Sequence, residues 1–143
     1  MNTLTFRAYG TPKGQPRVKA YVRGRHAGVY TPDTANGWKM EVRDAGMRAI
    51  PKESETIMGP VSVEIAFWLP RPKSHLRKDG TLKPSAPEHH TQKPDVDNLA
   101  KAVLDVLTDI RVWEDDAQVH SLSITRSWVA NPHAAGCSVT LQW

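Results

Sequence analysis

The chain has 143 residues, 39% apolar and 24% charged. That composition excludes wholesale disorder, and the length fits a single domain, residues 1–143, able to bury about 70% of its unfolded surface. The single cysteine, Cys137, excludes an internal disulfide framework and a cysteine-based zinc site and suits a reducing cytoplasm, while the formal net charge of +4 says less than its distribution.

Residues 1–30 carry six bases and no acid, residues 71–93 six bases and two acids, and residues 94–143 three bases and seven acids. Two basic blocks and one compact acidic block are the pattern of a protein that holds a polyanion beside a carboxylate site; the alternative is solvated charge on two loops. The opening MNTLTFRAYG interrupts its apolar patch with Arg7 and is not expected to be a signal peptide. No stretch approaches the ~20 apolar residues of a membrane span.

Residues 3–9 alternate and predict a strand. Seven glycines and prolines over residues 10–34 predict a loop or irregular hairpin, with Ala20–Val22 and Val29–Tyr30 as short strands. A helix is expected from Thr34 or Asn36 to about Ile50, where Pro51 stops it, with Trp38, Val42, Ala45, Met47 and Ala49 as its apolar positions. Residues 61–69 alternate Val61, Val63, Ile65 and Phe67 on one face, a clear strand. The 70–94 segment has five prolines and no periodicity, which marks a functional or mobile connection. A second helix follows from Asp95 or Asp97 to about Thr108, then a strand over 118–129 and a last strand over 137–142. These two strands are expected to form an antiparallel pair. The fold class is α+β, a small mixed sheet with two main helices in the order β-α-β-loop-α-β-β.

The chemistry concentrates in KPDVDNLAKAVLDVLTDIRVWEDDAQV, residues 93–119. Leu99, Val103, Val106, Leu107 and Ile110 share one helix face, about 180° from Asp97, Lys101 and Asp105. Exposed i,i+4 pairs, Asp97–Lys101 and Lys101–Asp105, are one reading of that charged trio. The other brings Asp95, just before the helix, and Asp97, in its first turn, together with the acidic run Glu114-Asp115-Asp116 at one sheet edge. Converging carboxylates repel unless a cation neutralises them, and an all-oxygen site suits Mg²⁺ or Mn²⁺. Such an ion activates water and stabilises charge on a phosphodiester. Lys101 is then placed to contact the phosphate or leaving oxygen. An EF-hand is excluded because Ala100 and Val106 occupy its glycine and glutamate positions. Nucleotide-cradling glycine loops are absent. His89-His90 reads as exposed loop or DNA contact, Cys137 as core, and Trp113 as packing behind the acidic segment.

Residues 93–105 (KPDVDNLAKAVLD) and 113–119 (WEDDAQV) resemble the RusA family of Holliday junction resolvases, with weaker matches at 10–19, 30–34 and 67–75 in the same order. The resemblance implies a small mixed α/β homodimer that binds four-way DNA junctions and makes paired nicks with Mg²⁺. It implies Asp95, Asp97 and Asp116 as essential acids and metal ligands, and Lys101 as the essential lysine. Many members carry lysine where this chain has Arg126, which touches only a peripheral DNA contact. Arg17, Lys19, Arg23, Arg25, Lys73, Arg77 and Lys78 are the expected phosphate contacts. A non-catalytic junction-binding protein and a metal-dependent phosphodiesterase acting on flap or single-stranded nucleic acid are the competing readings.

Overall fold

A computed structural model describes every residue, Met1–Trp143. The alternation of residues 61–70 becomes β4 (Val61–Pro70), whose inward side chains Val61, Val63, Ile65, Phe67 and Leu69 are all buried. Around it forms a four-stranded sheet in the order β1-β6-β4-β5, with β1 at Thr3–Tyr9, β5 at Val119–Val129 and β6 at Gly136–Gln142. β6 pairs antiparallel with both β1 and β4, and β5 pairs parallel with β4.

The expected antiparallel pairing of the last two strands does not occur: β4 lies between them. The reason is burial. A hairpin of β5 and β6 would displace β4, the strand with the most completely buried face, from the centre of the sheet. Instead the chain leaves β4, crosses over through a helix and returns parallel beside it, as a parallel pair requires. The short link from β5 to β6, a 3₁₀ turn at Pro132–Ala134, then steps past the end of β4.

One sheet face carries Phe6, Ala8, Cys137, Val139, Leu141, Val63, Ile65 and Phe67 in register. Two helices cover it, α1 (Asn36–Ala49) and α2 (Val96–Asp109), which also pack on each other. Together they enclose one cluster of 21 buried residues. Within α1, Trp38, Val42 and Ala45 face inward as expected, but Met47 is exposed and Gly46 is buried in its place. Met47 lies about 140° from Val42 around the helix, outside the buried arc. Neither Thr34 nor Asn36 caps α1; Ala35 holds that position with no side-chain bond. Burial pushes the Cys137 thiol up to about 12, so it behaves as an inert core residue. Gly136 is required where β6 begins: at φ 153° a β-carbon there would collide with the Ala8 carbonyl of β1.

Helix α2 ends in a Schellman pair, Val112 N–H to Leu107 O and Arg111 N–H to Thr108 O, with Arg111 at φ 64°. The two short strands expected before α1 form a separate antiparallel ribbon, β2 (Lys19–Arg23) and β3 (His26–Tyr30). No helix of the chain is long and apolar enough to cross a membrane.

The 70–94 connection is shaped by its aromatic and imidazole groups. Trp128 of β5 takes the His75 ring edge-on at 5.0 Å and the His90 ring at 4.2 Å, with the Arg71 guanidinium 5.5 Å from its centre. Arg71 also donates to Pro87 O at 2.7 Å. His89 is exposed as expected, but His90 is 6% exposed and packs inward, so the pair is not a uniformly exposed loop feature. Burial of the apolar indole selects one imidazole of the two as its cover.

Candidate active site

Helix α2 begins where Asp95 takes extended backbone geometry as its N-cap residue. The Asp95 side chain makes no capping bond and extends from an exposed residue; Asp97 stands exposed in the first turn. None of the chain's ion pairs involves either carboxylate. Both sit at the positive end of the helix dipole, which favours negative charge there.

Two further contacts fix this helix start. The Arg126 guanidinium of β5 donates to Gln92 O at 2.9 Å and to Pro94 O, gripping the backbone just ahead of Asp95. Gln15 N–H donates to Asn98 O at 2.9 Å, and Gly14 lies against Pro94 and Asn98. Arg126 is thus half-buried and engaged with the chain's own backbone. No local pattern announces this role, because its partners are backbone carbonyls more than 30 residues away.

Lys101 is one turn beyond Asp97 on the same exposed side. Its ammonium is 2.8 Å from Asp105 Oδ1 and 3.3 Å from Asp116 Oδ2. The hydrogen bond to Asp105 raises the Lys101 pKa; burial opposes it, and the Asp105 charge and then the Asp116 contact add to the upward shift. Of the two helical pairs considered from sequence, Lys101–Asp105 forms and Asp97–Lys101 does not. The pair with Asp116 joins α2 to a second segment.

That segment is the 3₁₀ turn Asp116–Gln118. Asp115 caps it by accepting from Ala117 N–H at 2.8 Å, while the Gln118 amide oxygen accepts from the N–H groups of Glu114 (2.9 Å) and Asp115 (3.2 Å). The Gln118 amide nitrogen donates to Ile57 O at 2.8 Å and Gly59 O at 2.9 Å. So the acidic run divides its labour: Asp115 holds the turn, and Asp116 presents its carboxylate to Lys101. Behind the turn Trp113 is fully buried, its indole N–H donating to Thr108 Oγ1 at 2.8 Å. Asp115-x-x-Gln118 has the spacing of a capping box, the local signal in the sequence that marks Gln118.

As placed, no three aspartate, glutamate, histidine or cysteine side chains gather into a group that holds a metal ion. Lys101 brings Asp116 to the Asp97 side of α2, while Asp95 and Asp97 remain without partners. The seven basic residues expected to meet phosphate all lie at exposed positions: Arg17 ahead of β2, Lys19 and Arg23 in β2, Arg25 in the turn, and Lys73, Arg77 and Lys78 in the long connection. The Gly14–Gln15 segment runs beside the start of α2, so the ribbon springs from the carboxylate side of the molecule. An apolar groove of about 560 Å³ lies elsewhere, between Met47, Ile50, Ile57, Ile110, Val112 and Trp143.

A protein of Bacillus subtilis (strain 168) described as "Uncharacterized protein YqaN" is 30% identical over 141 residues, spanning 92% of each chain. Residues 9–138 match the family described as Endodeoxyribonuclease RusA, a span that runs from the end of β1 into β6 and includes both helices, the carboxylates and Lys101. The resemblance read from the two motifs therefore holds over nearly the whole fold, and the chain belongs to the RusA endodeoxyribonuclease family.

Proposed function

We propose that the chain is a Mg²⁺-dependent, structure-selective endonuclease that resolves four-way DNA junctions as a homodimer in the cytoplasm. The observation that carries this reading is the Lys101 ammonium shared between α2 and the Asp116 turn, on an exposed edge that also carries Asp97. The donor set fits a hard divalent ion by its chemistry: three carboxylates, two of them without hydrogen-bonding or ionic partners. Asp95, Asp97 and Asp116 would hold the ion, with Mn²⁺ an acceptable substitute, and Asp116 would exchange its Lys101 contact for it. Bound there, Mg²⁺ supplies an activated water and charge stabilisation on the phosphodiester.

The chain's own groups do the rest. Lys101 is a compact positive charge that stabilises the phosphate or leaving oxygen as negative charge develops. Arg126 keeps the start of α2, and with it Asp95 and Asp97, in place. Arg17, Lys19, Arg23, Arg25, Lys73, Arg77 and Lys78 bind phosphates and position the DNA without reading its sequence. A twofold homodimer matches the approximate twofold symmetry of a junction and sets one site on each of two opposed strands.

The test is nicking of a labelled four-way junction in Mg²⁺ against EDTA, with duplex and flap substrates alongside. Asp97→Asn and Asp116→Asn are expected to abolish nicking while junction binding stays equal or tightens, since each removes a ligand and a repulsion against phosphate. Wild-type rates in both variants overturn the three-acid site. Preferred cutting of flaps reassigns the protein to flap processing, and binding without any cutting reassigns it to a junction-binding role.

A further inference from the structure

No residue of the β2–β3 ribbon belongs to the buried core. Its register places Lys19 opposite Tyr30, Tyr21 opposite Gly28 and Arg23 opposite His26. Side chains alternate along a strand, so these residues share one face, and Ala20, Val22, Ala27 and Val29 occupy the other. One face is therefore aromatic and cationic. Tyr21 is 43% and Tyr30 50% exposed, with ring centres 6.2 Å apart and planes at 56°.

Gly28 sets the posture of Tyr21. A β-carbon on Gly28 would stand 2.6 Å from Tyr21 Oη and 2.7 Å from Cζ, so the ring lies over backbone that only glycine leaves bare. One side of the ring rests on the ribbon and the ring remains open to solvent on the other. A two-stranded ribbon is marginal by itself in water, and no other strand or helix packs substantially on this one. Residues 1–30 hold six bases and no acid, so the face has no internal counter-charge.

Phosphate alone would be satisfied by the cations. Two open aromatic rings on the same face add a stacking surface that a ligand with its own π-system can use. We propose that the Tyr21–Tyr30 face of the ribbon binds unstacked bases at the branch point of DNA, with Tyr21 as the fixed stacking platform and Lys19, Arg23 and the flanking Arg17 and Arg25 holding the adjoining phosphates. This rests on the branched-DNA reading above and names the part of that substrate the ribbon takes. The branch point is where a junction offers bases free of a neighbour, and stacking tolerates any base identity.

The test measures binding of the full-length protein to a four-way junction, a junction with unpaired thymidines at the branch point, and a plain duplex, each without divalent metal and over a salt series. Tyr21→Leu is expected to weaken binding to the branched substrates by roughly ten- to hundredfold, most with unpaired thymidines, and to leave duplex binding unchanged. Its salt slope should match wild type, because stacking releases no counterions, whereas Arg23→Ala should reduce the slope. Tyr21→Phe should retain binding, and Gly28→Ala should mimic Tyr21→Leu by lifting the ring. A 5-iododeoxyuridine at the branch point should photocrosslink within residues 19–30.

Equal losses on duplex and branched DNA, or no loss on either, overturn the proposal. So does dissociation of a dimer by Tyr21→Leu, which would give this face to a second copy of the chain. If wild type binds and nicks junctions but Tyr21→Leu keeps its branch preference, the ribbon inference alone falls. If wild type shows no branch preference, both readings fall together.

Discussion

Replacing Lys101 with alanine separates two accounts of the same ammonium. On one account it is a helix-surface cation pairing with Asp105 at 2.8 Å and Asp116 at 3.3 Å. With the side chain 53% exposed, solvent screens both pairs, and together they contribute about 1 kcal/mol. For a chain of this size that loss lowers the melting temperature by about 4 °C. The raised pKa of Lys101 makes this contribution complete at neutral pH: it is fully present below the unfolded value of 10.5 and is lost only as pH climbs through the higher folded one. On the other account the ammonium also meets charge in the transition state, and its loss costs about 10²-fold in turnover, the usual scale for one donor at a developing anion. Single-turnover nicking at saturating enzyme reads the second quantity, and thermal melting reads the first. Lys101→Ala should melt within a few degrees of wild type, bind junctions as before and cut about 10²-fold more slowly. Lys101→Arg should rescue only partly, since a broad planar fork replaces a compact point charge between two carboxylates. An alanine variant that melts and cuts normally refutes the catalytic role and leaves Lys101 as a tie between α2 and the turn.

Arg126→Ala should lower nicking more than it lowers junction affinity, because it frees the backbone ahead of Asp95 rather than a phosphate contact; Arg126→Lys, with one donor centre in place of a fork, should restore less than half of the loss, read by single-turnover rates and filter binding. Stability should fall as pH drops below about 6.5: burial first, and the Arg126 charge second, depress the His90 pKa, so the unfolded chain binds its proton more readily than the folded one. Denaturant midpoints at pH 5 and 7 measure this slope, and His90→Asn should flatten it. Junction affinity should fall by about 10³–10⁵ between 50 and 200 mM salt if six to ten phosphates are held, and a flat response would dismiss the ribbon and the 71–93 segment as the DNA surface.

Much of this architecture was legible before the fold was known. The alternation of 61–69 marks β4, and the spacing of Leu99, Val103, Val106 and Leu107 marks the buried face of α2, because each pattern is the direct trace of one-sided burial. The two charged motifs are likewise local. What was not legible depends on partners distant in the chain. Nothing between residues 118 and 142 signals that β4 will separate β5 from β6; adjacency in sequence favours the hairpin, and the buried face of β4 overrides it. His90 and Arg126 look like solvent or DNA residues until Trp128 and the carbonyls of Gln92 and Pro94 are in view. The site is only half legible for the same reason: Asp95, Asp97 and Lys101 lie on one helix start, but the tie from Lys101 to Asp116 exists only once β5 docks beside β4.

The Gln118 side chain accepts from two amides through its oxygen and donates to two carbonyls through its nitrogen. A carboxamide offers two donors and an acceptor oxygen with two lone pairs from one uncharged planar group. Glutamate of the same shape would turn an acceptor toward the Ile57 and Gly59 carbonyls, and lysine or arginine would turn donors toward the Glu114 and Asp115 amides. A carboxamide also carries no charge at any pH in which the protein is folded. The turn that carries Asp116 is thus fastened to the segment ahead of β4 by a clasp indifferent to protonation.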